Sequence, residues 1–312
     1  RASYRHERLE SIPDAPLHDF STGNTVSTGW DRGRRRDIVG VEPMPSPIVV
    51  FSDVDGVLRH HDMHAWTEAA RAIRRLERED IPLVLCSSHT RAEIEWIQQE
   101  LGIHHPFICE SGSAAFIPSG YFKLHVPRAR DVAGYQAVEF GRSYAEVVRT
   151  LNRIAERLRI DIVGFSDMSV EEVARHCDLS LLKARLAKLR EYGERFRVLD
   201  PRERTGGRLF SALKRAGLRW IPGEPFDHVG ASVDTIVAVN LLRTLYQRAR
   251  GPVVTLGLAD EGADDTLLHV VDRRVMVPGD DPAEGGVDVA DWAEAIFEIV
   301  AELRGHRPAS TT

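Results

Sequence analysis

The chain has 312 residues, 43% of them hydrophobic, enough to bury a sizeable core in one large domain or two smaller ones. A formal net charge of -6 and a pI near 6.1 exclude the broad basic surface that nucleic-acid binding requires. No apolar run approaches the roughly 18 residues of a membrane helix and no signal peptide opens the chain, so a soluble, cytoplasmic protein with no membrane partner is expected.

Residues 1–46 are polar, rich in Gly, Pro, Ser and Arg, and lack a sustained period, so an irregular extension is expected there. The run from Arg32 to Arg36 within it reads as a solvated loop. Order is expected to begin with Pro47-Ile48-Val49-Val50-Phe51, a continuous apolar run that suits a strand buried on both faces. Helical spacing over about 65–79, an apolar run at 83–86, a helix over 91–101 and an apolar run at 107–109 complete a βαβαβ alternation. That pattern predicts a doubly wound, Rossmann-like parallel α/β sheet. The same alternation returns with a helix at 234–249, strands at 253–256 and 274–277, and a final helix at 289–304. Residues 122–233 follow different rules, with helices near 143–157, 169–176 and 180–190 and short strands near 161–165, 196–199 and 218–221. The expected organisation is a core domain of 47–121 and 234–312, with an α+β cap of 122–233 inserted into it. Cys86, Cys109 and Cys177 form no CxxC pair and read as small core residues in a reducing compartment.

In open α/β sheets, ligands bind beyond the carboxyl ends of the strands, and three polar clusters fall there. Asp53 and Asp55, in Asp53-Val54-Asp55-Gly56, can reach the same side, and Gly56 permits a tight turn beside a ligand. Ser87 and Ser88 follow the second strand, where a hydroxyl and the amides opening the next helix could hold a phosphoryl oxygen. Asp260, with Asp264 four residues on, follows the strand at 253–258. Each cluster also has a plain structural explanation, a turn for DxDG or a helix cap for Ser87 or Asp260. Together, converging carboxylates would repel one another without a cation, and such hard oxygen donors suit Mg²⁺.

The strings FSDVDGVL, LVLCSSHT and GLADEGADDTLL resemble motifs I, II and IV of the haloacid-dehalogenase superfamily. The cap, placed between motifs II and III, matches the C2 type. The strings CSSHTRAEIEWIQQELG, PFICESGSAAFIP, GFSDMSVEEVA, LLKARLAKLREYGERF and AVNLLRTLYQR are similar to the mannosyl-3-phosphoglycerate phosphatase family, over about 47–280. The resemblance implies that Asp53 is the nucleophile that forms an aspartyl-phosphate and that Asp55 is the general acid and base. It further implies that Ser87 binds the phosphoryl group, and that Asp53, Asp260 and the Asp55 carbonyl hold Mg²⁺ with Asp264 nearby.

The sequence departs from that pattern where cations are expected. Thr235 stands where the motif III lysine belongs, and His89 stands where related phosphatases carry a lysine. In the cap, Gly223-Glu224-Pro225 replaces a Gly-Gly-Arg segment, although His228 remains. Arg190 and Glu191 are the cap residues expected to contact substrate, unless they only form ion pairs at an exposed helix end. His60, His61 and His64 read as a solvated loop facing the cap. The expected ligand is a small phosphorylated sugar or sugar acid. The alternatives are a weakened relative that binds a phospho-ligand without turnover, or a phosphomutase. The sequence gives no oligomeric state.

Overall fold

The computed structural model describes residues 46–54, 63–199, 207–231, 233–260 and 265–277, with helical residues 293, 296–298, 300, 301 and 303 near the C-terminus. The extension expected at 1–46 lies outside the described residues except for Ser46. The elements run in the order β1 (Ile48–Asp53), α1 (Met63–Arg78), β2 (Leu83–Cys86), α2 (Arg91–Leu101), β3 (Phe107–Cys109), β4 (Ala114–Pro118), β5 (Arg130–Val132) and β6 (Tyr135–Glu139). Then come α3 (Tyr144–Leu158), β7 (Ile162–Gly164), α4 (Val170–His176), α5 (Leu181–Ala187), β8 (Glu194–Val198), α6 (Gly207–Arg215), β9 (Leu218–Ile221) and β10 (Asp227–Ala231). The chain closes with α7 (Thr235–Arg250), β11 (Val254–Asp260), a 3-10 turn over Asp265–Val270 and β12 (Arg273–Val277).

Among the described residues, the large sheet has eight strands in the order β12-β11-β1-β2-β3-β4-β6-β5. The five strands from β12 to β3 are parallel, and β4, β6 and β5 add antiparallel pairs. Burial on both faces explains the continuous apolar run of β1. Ile48 and Val50 pack with Ile73, Leu76 and Ile94 of α1 and α2, while Val49 and Phe51 pack with Leu242 and Tyr246 of α7. The fold is therefore the doubly wound α/β core expected, with an inserted α+β layer.

That layer is an antiparallel four-stranded sheet, β7-β8-β10-β9. Helices α3 and α6 cover one side through Val147, Leu151, Leu209 and Leu213, which enclose Phe196. Each such fully buried large side chain contributes about 1.5–3 kcal/mol. Helices α4 and α5 gather around Phe165 and Phe226. The range 122–233 thus holds two things: β5 and β6 extend the large sheet, and the second sheet begins after them.

The helix expected to run to residue 190 ends at Ala187, with Lys188 as its C-cap. The following backbone N–H groups turn toward a buried carboxylate of the core instead of continuing the helical ladder, as described below. Arg190 and Glu191 are therefore not helix-end residues. Strands β4, β5, β6 and β10 and helix α6 are further elements that the sequence reading did not place.

Candidate active site

The chain enters the large sheet at β1, winds outward through β2 and β3, and later returns to the other side of β1 as β11. The reversal falls between β1 and β11, the topological switch point where open α/β sheets bind ligands. Both strands end there in a carboxylate residue. Ser52 is paired with Leu258, so Asp53 and Asp260 close neighbouring parallel strands at the same end. Asp55 and Asp264 lie outside the described residues, as do His60 and His61. The side chains of Asp260 and His64 are also outside the description.

On the other flank of β1, Asp53 is in register with Cys86. Burial holds the Cys86 thiol well above its ordinary range, and the negative charge of Asp53 raises it further. Cys86 is accordingly a protonated core thiol.

After β2, the segment 87–90 is stitched to the loop after β3. Ser87 N–H donates to Ile108 O at 3.0 Å, Ser87 O accepts from Ser111 N–H at 2.9 Å, and His89 O accepts from Glu110 N–H at 3.0 Å. Ser87 Oγ accepts from His89 N–H at 3.1 Å and lies 2.6 Å from His89 Nδ1. The N-cap of α2 is Thr90, which forms a capping box with Glu93. Ser87 is therefore not the residue that caps this helix. The same Thr90 hydroxyl donates to Leu186 O of the inserted layer at 3.0 Å.

The two layers meet above this segment. Glu110 of the core, fully buried, accepts three consecutive backbone N–H groups, from Glu191 at 2.7 Å, Tyr192 at 3.1 Å and Gly193 at 2.7 Å. Arg190 Nη2 lies 3.2 Å from the same carboxylate, so the buried charge is paired as well as solvated by amides. Arg190 also donates through Nε to Gly193 O at 2.6 Å and through Nη2 to Ser88 O at 3.3 Å. From β8, Arg195 Nη2 donates to Ser88 Oγ at 2.8 Å. Arg190, expected to contact substrate, is placed against Ser88 O and Glu110. Arg195 and Glu110 were not anticipated, although the chain places Glu110 directly after the buried strand Phe107–Cys109.

Glu191 is committed differently from the expectation that it contacts substrate. Its carboxylate accepts from Arg91 Nε at 2.7 Å, and Arg91 Nη1 bonds Glu95 Oε1 at 2.9 Å, forming an ion pair from α2 to the cap. His228 sits on β10 opposite Arg195 of β8. It is buried against Gly193, where an added Cβ would lie 2.2 Å from His228 Cε1. Burial, then the charges of Arg190, Arg195 and Arg219, hold its pKa well below the usual histidine value, so the ring is neutral. Next to it, burial raises the pKa of Glu194, whose carboxylate accepts from Tyr144 OH at 2.9 Å and Ser166 N–H at 3.1 Å.

Residues 50–122 match the family model of haloacid dehalogenase-like hydrolases. The chain is 33% identical over 267 residues to the glucosyl-3-phosphoglycerate/mannosyl-3-phosphoglycerate phosphatase of Methanococcoides burtonii, covering 81% of this chain and 97% of that one. This chain belongs to the haloacid dehalogenase-like phosphatases. The phosphatase of the same name from Persephonella marina is 32% identical over 82% of this chain and 98% of its own. A haloalkanoate-superfamily phosphatase from Bacteroides thetaiotaomicron shares the fold at a TM-score of 0.52 and 13% identity, covering 86% of this chain and 99% of that one. The inserted four-stranded layer is the C2-type cap of this phosphatase group, and the chain is an enzyme of it. None of its described helices is long and apolar enough to cross a membrane.

Proposed function

We propose that this phosphatase hydrolyses a small phosphorylated sugar acid of the glucosyl- or mannosyl-3-phosphoglycerate kind, through an aspartyl-phosphate on Asp53 and with Mg²⁺. The observation that carries the reading is that Asp53 and Asp260 end neighbouring strands at the switch point, beside the Ser87-Ser88 segment that two cap arginines contact. The relatives' names supply the substrate class.

In this reading an Asp53 carboxylate oxygen attacks phosphorus, the ester P–O bond breaks, and Asp55 protonates the departing alkoxide. Asp55 then takes a proton from water as that water attacks the aspartyl-phosphate. The second step releases inorganic phosphate and regenerates the Asp53 carboxylate. Ser87 and the Ser88 amide hold the phosphoryl oxygens. The donor set at the two strand ends is all hard oxygen, which fits Mg²⁺ held by Asp53, Asp260, Asp264 and the Asp55 carbonyl and neutralising the dianionic phosphoryl group. The cap would exclude water and bulky phosphoesters while the core does the chemistry. The setting fits a cytoplasmic enzyme of small metabolites.

The test is turnover across a panel of phosphorylated metabolites, phosphopeptides and nucleotides, with and without Mg²⁺. Preference for sugar-acid phosphates supports the proposal. Efficient phosphopeptide hydrolysis with no small metabolite turned over contradicts it.

A further inference from the structure

Residues other than glycine rarely adopt left-handed backbone, because the Cβ crowds the neighbouring peptide. The turn between β3 and β4 does so at consecutive positions: Glu110 has φ +45 and Ser111 φ +56, followed by Gly112 at φ +89. Such a conformation persists only where the surroundings over-determine it. Here the contacts arrive from several directions. Glu110 N–H donates to His89 O and Ser111 N–H to Ser87 O, which fixes the segment after β2. Gly112 is pressed against the start of α7, where an added Cβ would lie 2.7 Å from Thr235 Cα. Ser113 O accepts from Phe140 N–H at 2.8 Å and from Gly141 N–H at 2.9 Å, where the chain leaves the large sheet for the cap. The turn therefore touches the chain both on its way into the cap and at the helix that follows the cap.

The Glu110 side chain adds the cap itself. Its Oε1 accepts Glu191 N–H, and its Oε2 accepts Tyr192 N–H and Gly193 N–H and lies 3.2 Å from Arg190 Nη2. Only an acceptor on both oxygens suits that set, since a carboxamide of the same shape would turn an NH2 group toward other donors. One residue thus holds the Ser87–His89 segment with its backbone and the cap with its side chain. We propose that Glu110 is a positioning residue for the phosphoryl seat: docking of the cap loop 190–193 on its carboxylate locks the left-handed turn, and the turn sets Ser87 and Ser88 beside Asp53. The inference rests on reading Ser87 and the Ser88 amide as that seat. Asp53 is in register with Cys86, so Ser87 begins directly beside the end of β1. With the cap loop away, the carboxylate loses its amides and Arg190 and must be hydrated, and the turn loses what holds it left-handed. The seat takes its working shape only while the cap loop is docked.

The experiment follows amide hydrogen exchange in the segments 87–89 and 190–193, with p-nitrophenyl phosphate kinetics in Mg²⁺ and thermal melts. The proteins are the parent, Glu110→Gln, Glu110→Asp and Leu213→Ala, the last a truncation in the separate apolar cluster under α3 and α6. In the parent, saturating inorganic phosphate with Mg²⁺ should slow exchange at least about threefold in both segments, although phosphate is seated on the core. Glu110→Gln should quicken exchange at least about tenfold in both segments and abolish the effect of phosphate on 190–193. Its kcat should fall at least about thirtyfold with KM within about threefold of the parent, the pattern of reacting groups present but misplaced. Leu213→Ala should keep kcat within about threefold at a temperature where all the proteins are folded. A folded Glu110→Gln protein with the parent's exchange at 87–89 and the parent's kcat overturns the proposal. So does a loss of kcat no greater than Leu213→Ala shows for a similar loss of melting temperature, or phosphate that slows 87–89 in the parent while leaving 190–193 unchanged. If Glu110→Gln does not fold, Glu110→Asp, one methylene short, takes its place under the same criteria, and if neither folds the response of the parent to phosphate decides. Phosphate that slows neither segment removes the seat at 87–89 and this inference with it, and p-nitrophenyl phosphate turnover then decides whether the proposed hydrolysis also falls. Phosphate protection of both segments in a parent that turns over no phosphoester would leave the coupling standing and sink the proposed hydrolysis.

Discussion

The carboxylate of Glu110 in the core accepts the backbone N–H of Gly193 in the cap at 2.7 Å, the last of three consecutive amides it binds. Both residues are buried, and the contact fastens the two layers at the point where the cap arginines approach Ser88. Glu110→Ala would leave those amides without their acceptor and the buried Arg190 guanidinium without its counter-charge. The expected loss is about 3–5 kcal/mol, the usual result of breaking one half of a buried pair. Chemical denaturation of parent and variant measures it, and a difference under about 1 kcal/mol would mean that the fastening contributes little.

Gly193→Ala places a methyl group where the His228 ring now lies. Overpacking of this kind costs about 1–3 kcal/mol. Because the closest obstacle is one side chain, Gly193→Ala combined with His228→Ala should be less destabilised than the sum of the single variants. A double-mutant cycle with an interaction of about 1 kcal/mol or more is expected, and strict additivity would contradict it.

The neutral, buried His228 gives the fold a pH dependence with a definite sign. Its folded-state pKa lies well below the usual value, so between the two values the unfolded chain binds a proton that the folded chain refuses. Stability is therefore highest above the unfolded pKa near 6.5 and falls as pH drops through it, by up to about 1.4 kcal/mol per unit. Denaturation curves from pH 8 to 5 should show this limb in the parent and a shallower one in His228→Gln, at about the pH range set by the ordinary histidine value. Glu194 acts in the same direction at lower pH in neither protein, because its raised pKa favours the folded state on acidification.

Asp53→Asn should lower turnover by at least about a thousandfold with an unchanged melting temperature, as expected when a covalent nucleophile is removed. EDTA should abolish activity and added Mg²⁺ restore it. An Asp53→Asn protein that keeps the parent rate rules out the aspartyl-phosphate route.

Much of the core was legible because burial on both faces writes itself as uninterrupted apolar runs. Residues 83–86 and 107–109 read as strands for that reason. Strand β10 was not legible, since Asp227, His228 and Gly230 do not look like a buried strand. Their burial depends on a local turn and on a partner distant in sequence: Asp227 accepts from Gly223 N–H just before the strand, and His228 packs on Gly193, far earlier in the chain. The site divides the same way. Asp53 and Ser87 follow recognisable strands, so their position could be read locally. Arg195 looks like any outward residue of an alternating strand, and only the packing of the cap on the core brings it to Ser88. The Glu191 ion pair could not be read locally for a related reason, because its partner Arg91 is a hundred residues away.

Cys86 closes β2 in register with Asp53, and Cys109 closes β3 directly before Glu110. Both thiols are buried, and burial raises the pKa of each. A thiol-reactive dye can modify them only when the strand ends open to water, so each works as a native chemical clock for one part of the molecule. The labelling rate at Cys86 times opening beside the nucleophile, and that at Cys109 times release of the Glu110 fastening. Comparing the two rates with and without inorganic phosphate would show which opens first, with no foreign probe added to the chain.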